Sequence, residues 1–219
     1  MSVYVRQLQL GPMQNFVYLI GPADSVETAV IDPAWDIPEV LRTVEQDGRR
    51  ITHVLVTHRH FDHTNGIEPL LNEVSVPVLV HVDEIPHIQA DLPRSVYQPV
   101  AGGEVVEVGR LPIRCLHTPG HTPGCLCFHC EVGAGSIFTG DTLFVNACGR
   151  CDFAGGNATQ MFESLNGVLG ALPSHTAMYP GHNYGDVPVS TLGRERAQNP
   201  YLQFANAEAF TTFRMRPRG

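Results

Sequence analysis

Thr57-His58-Arg59-His60-Phe61-Asp62-His63 follows directly on Ile51 to Val56, a stretch that reads as a buried strand. A loop leaving a strand can point His58 and His60 to one side, while Asp62 and His63, at the start of the next helix, face the other. That arrangement supplies the two halves of a metal site. Neutral imidazole and carboxylate suit zinc, iron or manganese, and catalytic sites of such metals keep one position open for water. More ligands are then required. Three glycine-flanked turns after strands offer them: His121 in Thr118-Pro-Gly-His-Thr-Pro-Gly124, Asp141 in Phe138-Thr-Gly-Asp-Thr142, and His182 in Tyr179-Pro-Gly-His182.

Outward from this motif the chain alternates strands and helices. Val3 to Leu10, Phe16 to Ile20 and Thr28 to Ile31 are short runs broken by Gly11-Pro12 and Gly21-Pro22, the pattern of an antiparallel meander. Asp36 is placed to cap a helix with Pro38 in its first turn, ending near Gly48. Further on the pattern predicts a helix at Gly66 to Val74 and strands at Val78 to Val82, Glu104 to Val108, Leu111 to Leu116, Cys125 to Val132 and Ser136 to Phe138. Helices at Thr159 to Leu169 and Thr191 to Asn199 are expected to close the chain. Two strand-rich halves with helices between and after them imply an α/β fold, a four-layer αββα sandwich, as one domain over residues 1–219.

The 219 residues are 43% hydrophobic and 16% charged, which is enough apolar material for a core and excludes a mainly disordered chain. No run approaches the roughly 18 apolar residues of a membrane span, and the N-terminus has no basic flank before an apolar block. A net charge of −8 without a basic cluster argues against nucleic acid as partner. All 14 basic residues are arginine, so an anionic ligand must meet guanidinium, backbone N–H or metal, and lysine chemistry is excluded. Six cysteines in a chain of this size read as reduced thiols of a cytoplasmic protein; Cys125, Cys127 and Cys130 read as buried strand thiols rather than a structural zinc site. The Cys148–Cys151 pair leaves a redox role for Cys151 as an alternative to a structural one.

These motifs together resemble the metallo-β-lactamase superfamily over nearly the whole chain, and within it the short type II glyoxalases, the hydroxyacylglutathione hydrolases. Gln14-Asn15, the Phe138 to Phe144 run, Gly149-Arg150-Cys151-Asp152-Phe153 and the segment from Ser190 through Arg196 to Asn199-Pro200 carry that likeness. The resemblance implies that His58, His60 and His121 hold one divalent metal, that Asp62, His63 and His182 hold a second, and that Asp141 bridges them. Zinc is the first expectation, with iron or manganese as alternatives. It further implies cleavage of a thioester such as S-lactoylglutathione by a metal-bound hydroxide, with Asp62 and Asp141 catalytic. True β-lactamases of the superfamily usually replace the bridging Asp by Cys, so antibiotic hydrolysis is a minor option.

Persulfide dioxygenases are the rival family. They share these ligands but use one Fe(II), here on His58, His121 and Asp141, to oxidise glutathione persulfide. A non-catalytic metal-binding protein of the same fold is a third reading, which a full seven-ligand set disfavours. Longer type II glyoxalases add a C-terminal helical domain whose basic residues bind glutathione carboxylates, whereas 37 residues (219 − 182) follow His182 here. Arg150, Arg194 and Arg196 are therefore the candidates to clamp an anionic thiol carrier, and Tyr184 to border the substrate. The expected partner is a small acyl-thiol or persulfide, with no nucleic acid or membrane, and a homodimer is the candidate assembly.

Overall fold

The computed structural model describes residues 2–89 and 92–216. Its first half is β1 (Val3–Leu10), β2 (Asn15–Pro22), β3 (Glu27–Ile31), α1 (Ile37–Gln46), β4 (Arg50–Leu55), α2 (Phe61–Thr64), α3 (Ile67–Glu73), β5 (Val78–His81) and β6 (Tyr97–Val100). The second half runs β7 (Val105–Val108), β8 (Leu111–His117), β9 (Leu126–Cys130), β10 (Ser136–Gly140), β11 (Leu143–Phe144), β12 (Ala147–Cys148), α4 (Ala158–Glu163), β13 (Ala177–Pro180), β14 (Ser190–Thr191), α5 (Leu192–Gln198) and α6 (Ala207–Arg214). Two six-stranded sheets result, ordered β1-β2-β3-β4-β5-β6 and β14-β13-β10-β9-β8-β7, with β11 and β12 as a separate hairpin.

Strand alternation builds the layers. On β2, Phe16, Tyr18 and Ile20 enter a core between the sheets, while Val17 and Leu19 face a second core under α1 and α3. On β9, Leu126, Phe128 and Cys130 join the core between the sheets, and Cys127 turns to a third, beneath α4 and α6. Both sheets are thus covered on both faces, and the architecture is the αββα sandwich that the sequence implies.

The first three strands form the expected antiparallel meander, after which β3 to β6 pair in parallel. Asp36 caps α1, its Oδ1 accepting the Glu39 N–H at 3.1 Å. Two expectations are corrected. The helix predicted over Thr159 to Leu169 is α-helical only to Glu163, and Ser164–Val168 continues it as a π-turn. The chain does not close with α5: Asn206 caps one more helix, α6, whose Phe210 fills the third core. Strand β6 was also not anticipated, being four residues with Pro99 inside it, while β13, the strand that the His182 turn implies, ends on Pro180. Among the described residues no helix is long and apolar enough to cross a membrane.

Candidate metal centre

All seven expected ligands converge where the two sheets meet. The nitrogen and carboxylate atoms of three trios, His58/His60/His121, His58/His63/Asp141 and Asp62/His63/His182, each lie within 4.8 Å of one another. Four of the five rings are held from behind. His63 Nδ1 donates to Asp32 Oδ2 at 2.9 Å, His121 Nδ1 to the Arg150 carbonyl at 2.7 Å and His182 Nδ1 to the Met13 carbonyl at 2.9 Å. Thr57 gives its hydroxyl proton to Asp32 Oδ2 at 2.6 Å, so its oxygen is left to accept from His58 Nδ1 at 3.0 Å. With the outer nitrogen protonated, the inner Nε2 of a neutral ring carries a lone pair.

Those lone pairs meet one another. His63 Nε2 and His182 Nε2 are 3.1 Å apart, and His60 Nδ1 lies 3.1 Å from His58 Nε2 and 2.9 Å from His121 Nε2. One proton on His60 Nδ1 can satisfy one of the two lone pairs it faces, and none is left for the other pair while both rings are neutral. Asp141 Oδ1 is buried with no hydrogen bond donated to it. Lone pairs and an orphaned carboxylate oxygen aimed inward are what cations would satisfy, so these residues fit divalent metal. Asp141 divides its oxygens: Oδ1 is 3.3 and 3.4 Å from Nε2 of His63 and His182, and Oδ2 is 3.4 Å from Nε2 of His121.

Glycine makes room for this carboxylate. Gly140 has φ +47°, and a Cβ there would lie 2.5 Å from Thr57 Oγ1; one on Gly181 would lie 2.7 Å from Asp141 Oδ1. Asn15 donates through Nδ2 to Asp62 Oδ2 at 2.9 Å and accepts from Trp35 Nε1 at 2.8 Å, fixing the Asp62 rotamer.

Two further acidic residues hold the ligand loops, and neither was anticipated from the sequence. Asp32 is one. Glu84, fully buried, is the other: Oε2 accepts the Arg59 N–H at 2.8 Å and Oε1 the Gly124 N–H at 2.7 Å. One side chain thereby ties the His58–His60 loop to the loop carrying His121, and Arg59 Nη2 extends the tie to the Ala154 carbonyl at 2.7 Å.

The ligands open onto a cavity of about 610 Å³. Arg150 and Tyr184 line it as expected, the former paired with Asp152 at 2.8 Å through both Nε and Nη2. Arg194 does not line it; its guanidinium is drawn to Asp186 at 2.7 and 2.9 Å. Arg196 is also elsewhere, bonded to the Leu169 and Leu172 carbonyls. The second cavity cation is instead Arg214 on α6, with Nε on the Gly149 carbonyl at 3.0 Å. Nothing in local spacing points to it, because α6 reaches the cavity only by tertiary packing. Cys148 and Cys151 are both buried; Cys148 also lines the cavity, and burial pushes the Cys151 thiol up to about 11, away from the reactive thiolate range. The three trios contain no cysteine.

Without a cation, protons take its place. Burial lowers His63 and His182, but the charges and hydrogen bonds of the neighbouring carboxylates, Asp141 first among them, together outweigh it. His63 is raised well above the ordinary value, and His182 rises to about 9. His60 falls to about 4, through burial and then the neighbouring His121, and burial lowers His58 and His121 too. Burial raises Asp62 and Asp141, yet the adjoining histidines outweigh it and hold both carboxyls well below the usual range.

A model described as the metallo-β-lactamase superfamily matches residues 10–182. The chain is 31% identical to the probable polyketide biosynthesis zinc-dependent hydrolase PksB of Bacillus subtilis, over 92% of this chain and 88% of that one. It is 36% identical to a hydroxyacylglutathione hydrolase of Nitrosococcus oceani (83% and 67%) and 31% to human mitochondrial persulfide dioxygenase ETHE1 (94% and 78%). The crystal structure of ETHE1 from Myxococcus xanthus superposes with a TM-score of 0.86 at 32% identity, covering 98% of this chain and 92% of that one.

Two outcomes are expected. The proton on His182 stabilises the metal-free fold fully below the unfolded value of about 6.5, and this is lost as pH rises through about 9. Metal must displace that proton, so metal affinity of the Asp62/His63/His182 trio rises about tenfold per pH unit for each proton released. The Tm difference between zinc-loaded and metal-free protein therefore widens from pH 6.5 to 9; a constant or shrinking difference contradicts the assignment. Glu84→Gln sets an amide NH₂ against one of two backbone donors, and should weaken metal binding at the His58/His60/His121 trio about 10- to 100-fold, read by competition with a chromophoric chelator.

Proposed function

The chain belongs to the metallo-β-lactamase superfamily, and from that premise we propose that it is a dinuclear metallohydrolase cleaving the thioester of a small acyl-thiol. The observation that carries this is Asp141, one oxygen of which faces the His121 side and the other the His63 and His182 side. A single metal on His58, His121 and Asp141 would leave Asp62, His63 and His182 to be satisfied by protons on the two rings, whereas a second metal would use all three as ligands. The hydrolase relatives, named for zinc and for hydroxyacylglutathione, support the same reading.

Bound there, divalent metals lower the pKa of a water and polarise a carbonyl oxygen. The protein's own residues do the rest. Asp62, held as the anion and steadied by Asn15, lines the cavity and can accept a hydrogen bond from the attacking water. Water oxygen joins the carbonyl carbon, the C–S bond breaks, and the products are a carboxylate, a thiol that takes one of the water's protons, and one proton released to solvent. The thiol's pKa of about 8.5 makes thiolate a good leaving group, so no strong general acid is needed. Tyr184, pushed up to about 12 by burial and by the Asp141 and Asp62 charges, stays a neutral donor. Arg150 and Arg214 are the groups to meet an anion on the thiol carrier.

Similarity to the persulfide dioxygenases supports a second reading, a mononuclear iron dioxygenase. One experiment separates the two. Protein reloaded with zinc or with iron is given a thioester panel including S-lactoylglutathione, with thiol release followed by colour, and glutathione persulfide in an oxygen electrode. Thiol release with a flat oxygen trace is expected; oxygen uptake stoichiometric with persulfide, without thioester cleavage, would overturn the hydrolase. Arg214→Ala should raise KM about tenfold for an anionic thiol carrier and leave kcat within twofold; an unchanged KM removes Arg214 from binding.

A further inference from the structure

Exposed apolar side chains are concentrated at one place on this protein. Of the nine large hydrophobic side chains exposed among the described residues, four, Met13, Phe61, Phe153 and Tyr184, line the metal cavity. Scattered singly, such residues need no explanation; gathered at one cavity, they mark a surface that an apolar group covers.

They also divide the cavity by chemistry. Met13, Phe61 and Tyr184, 46%, 53% and 51% exposed, all belong to the His182 side. The Met13 carbonyl accepts from His182, and the Tyr184 ring stacks on His182 with centroids 4.6 Å apart. Phe61 precedes Asp62, its ring edge-on to Trp35 at 6.2 Å, and Trp35 is anchored through Asn15 to Asp62. Both guanidiniums belong to the opposite side. Arg150 supplies the carbonyl that holds His121, with its own guanidinium 4.3 Å over the Phe153 ring, and Arg214 is fixed to Gly149. A substrate lying across the centre meets cations at one end and an aromatic and thioether shelf at the other.

We propose that the shelf of Met13, Phe61 and Tyr184 binds the acyl half of the substrate, and that this acyl group is an apolar aliphatic or aryl chain rather than a short hydroxyacyl group. The identification of the bound group as acyl rests on the thioester reading; the apolar preference of the shelf does not. A hydroxyl laid on Met13 or Phe61 loses water without gaining a partner, whereas each buried methylene gains about fourfold in binding.

The test uses zinc-loaded protein and N-acetylcysteamine, a neutral thiol, so that the guanidiniums stay out of the comparison. Dissociation constants are measured for its S-ethyl to S-hexyl thioethers, and kcat/KM for its acetyl to hexanoyl, propanoyl and lactoyl thioesters. Thioether binding should tighten about threefold to fourfold per methylene, and propanoyl should be cleaved in preference to lactoyl. Met13→Ser and Phe61→Ser should each flatten the thioether slope, and the zinc content of each variant reports whether the centre is intact. A flat thioether series in the wild type, or a preference for lactoyl, overturns the proposal. A rising thioether series with no thioester cleaved upholds the apolar shelf and overturns the hydrolase reading instead.

Discussion

The carboxylate of Asp32 is the constraint on which the centre depends. It accepts the Thr57 N–H at 2.7 Å, the Thr57 hydroxyl at 2.6 Å and His63 Nδ1–H at 2.9 Å, and it does so from a backbone with φ +51°. Left-handed backbone is uncommon outside glycine, but Asp tolerates it better than most residues, and three hydrogen bonds hold it. Thr57 passes the constraint on. Its carbonyl accepts the Leu126 N–H of the second sheet at 2.8 Å, its hydroxyl oxygen orients His58, and its side chain packs against Gly140, next to Asp141. Ligands from both sheets are therefore referenced to one buried anion. Within such a network each bond strengthens its neighbours, and loss of one member leaves others unpaired at full cost.

What the sequence makes legible follows from how local the signal is. The seven ligands could be read because each sits in a short motif after a strand, where geometry is set by neighbours in the chain. The αββα layering could be read because β2 and β9 alternate between two buried faces. Asp32 and Glu84 could not, since each acts through hydrogen bonds 25 or more residues away, and an Asp or a Glu outside the motifs carries no mark of what it will bond. Arg214 was hidden for the same reason. Arg194 is a guanidinium near the resemblance's motif, and the sequence does not show that Asp186, eight residues before it, pairs with it. The Trp35-Asn15-Asp62 relay lay half in view, with Asn15 legible and its indole partner not.

The centre itself is generic, and its surroundings are not. Five imidazoles and two carboxylates could hold metal for either proposed reaction, on an acyl-thiol or on a persulfide. Selectivity must come from side chains that never touch a metal. The cavity wall draws these from the β1–β2 turn, α2, the segment after β12, the loop following β13, and α6, elements lying far apart in the chain. Such a wall can change residue by residue while the buried anions behind the ligands stay fixed.

The order of the ligands along the chain has a consequence for synthesis on the ribosome. His58, His60, Asp62 and His63 follow β4 of the first sheet, whose last strand is β6; His121, Asp141 and His182 come later, and His182 follows β13, an interior strand of the second sheet. Until then the nascent first half presents a partial set of metal-binding groups beside an uncovered apolar face of Phe16, Tyr18, Ile20 and Leu55. Such a growing chain would offer an apolar face to a chaperone and ligand groups to a metal ion on neighbouring surfaces.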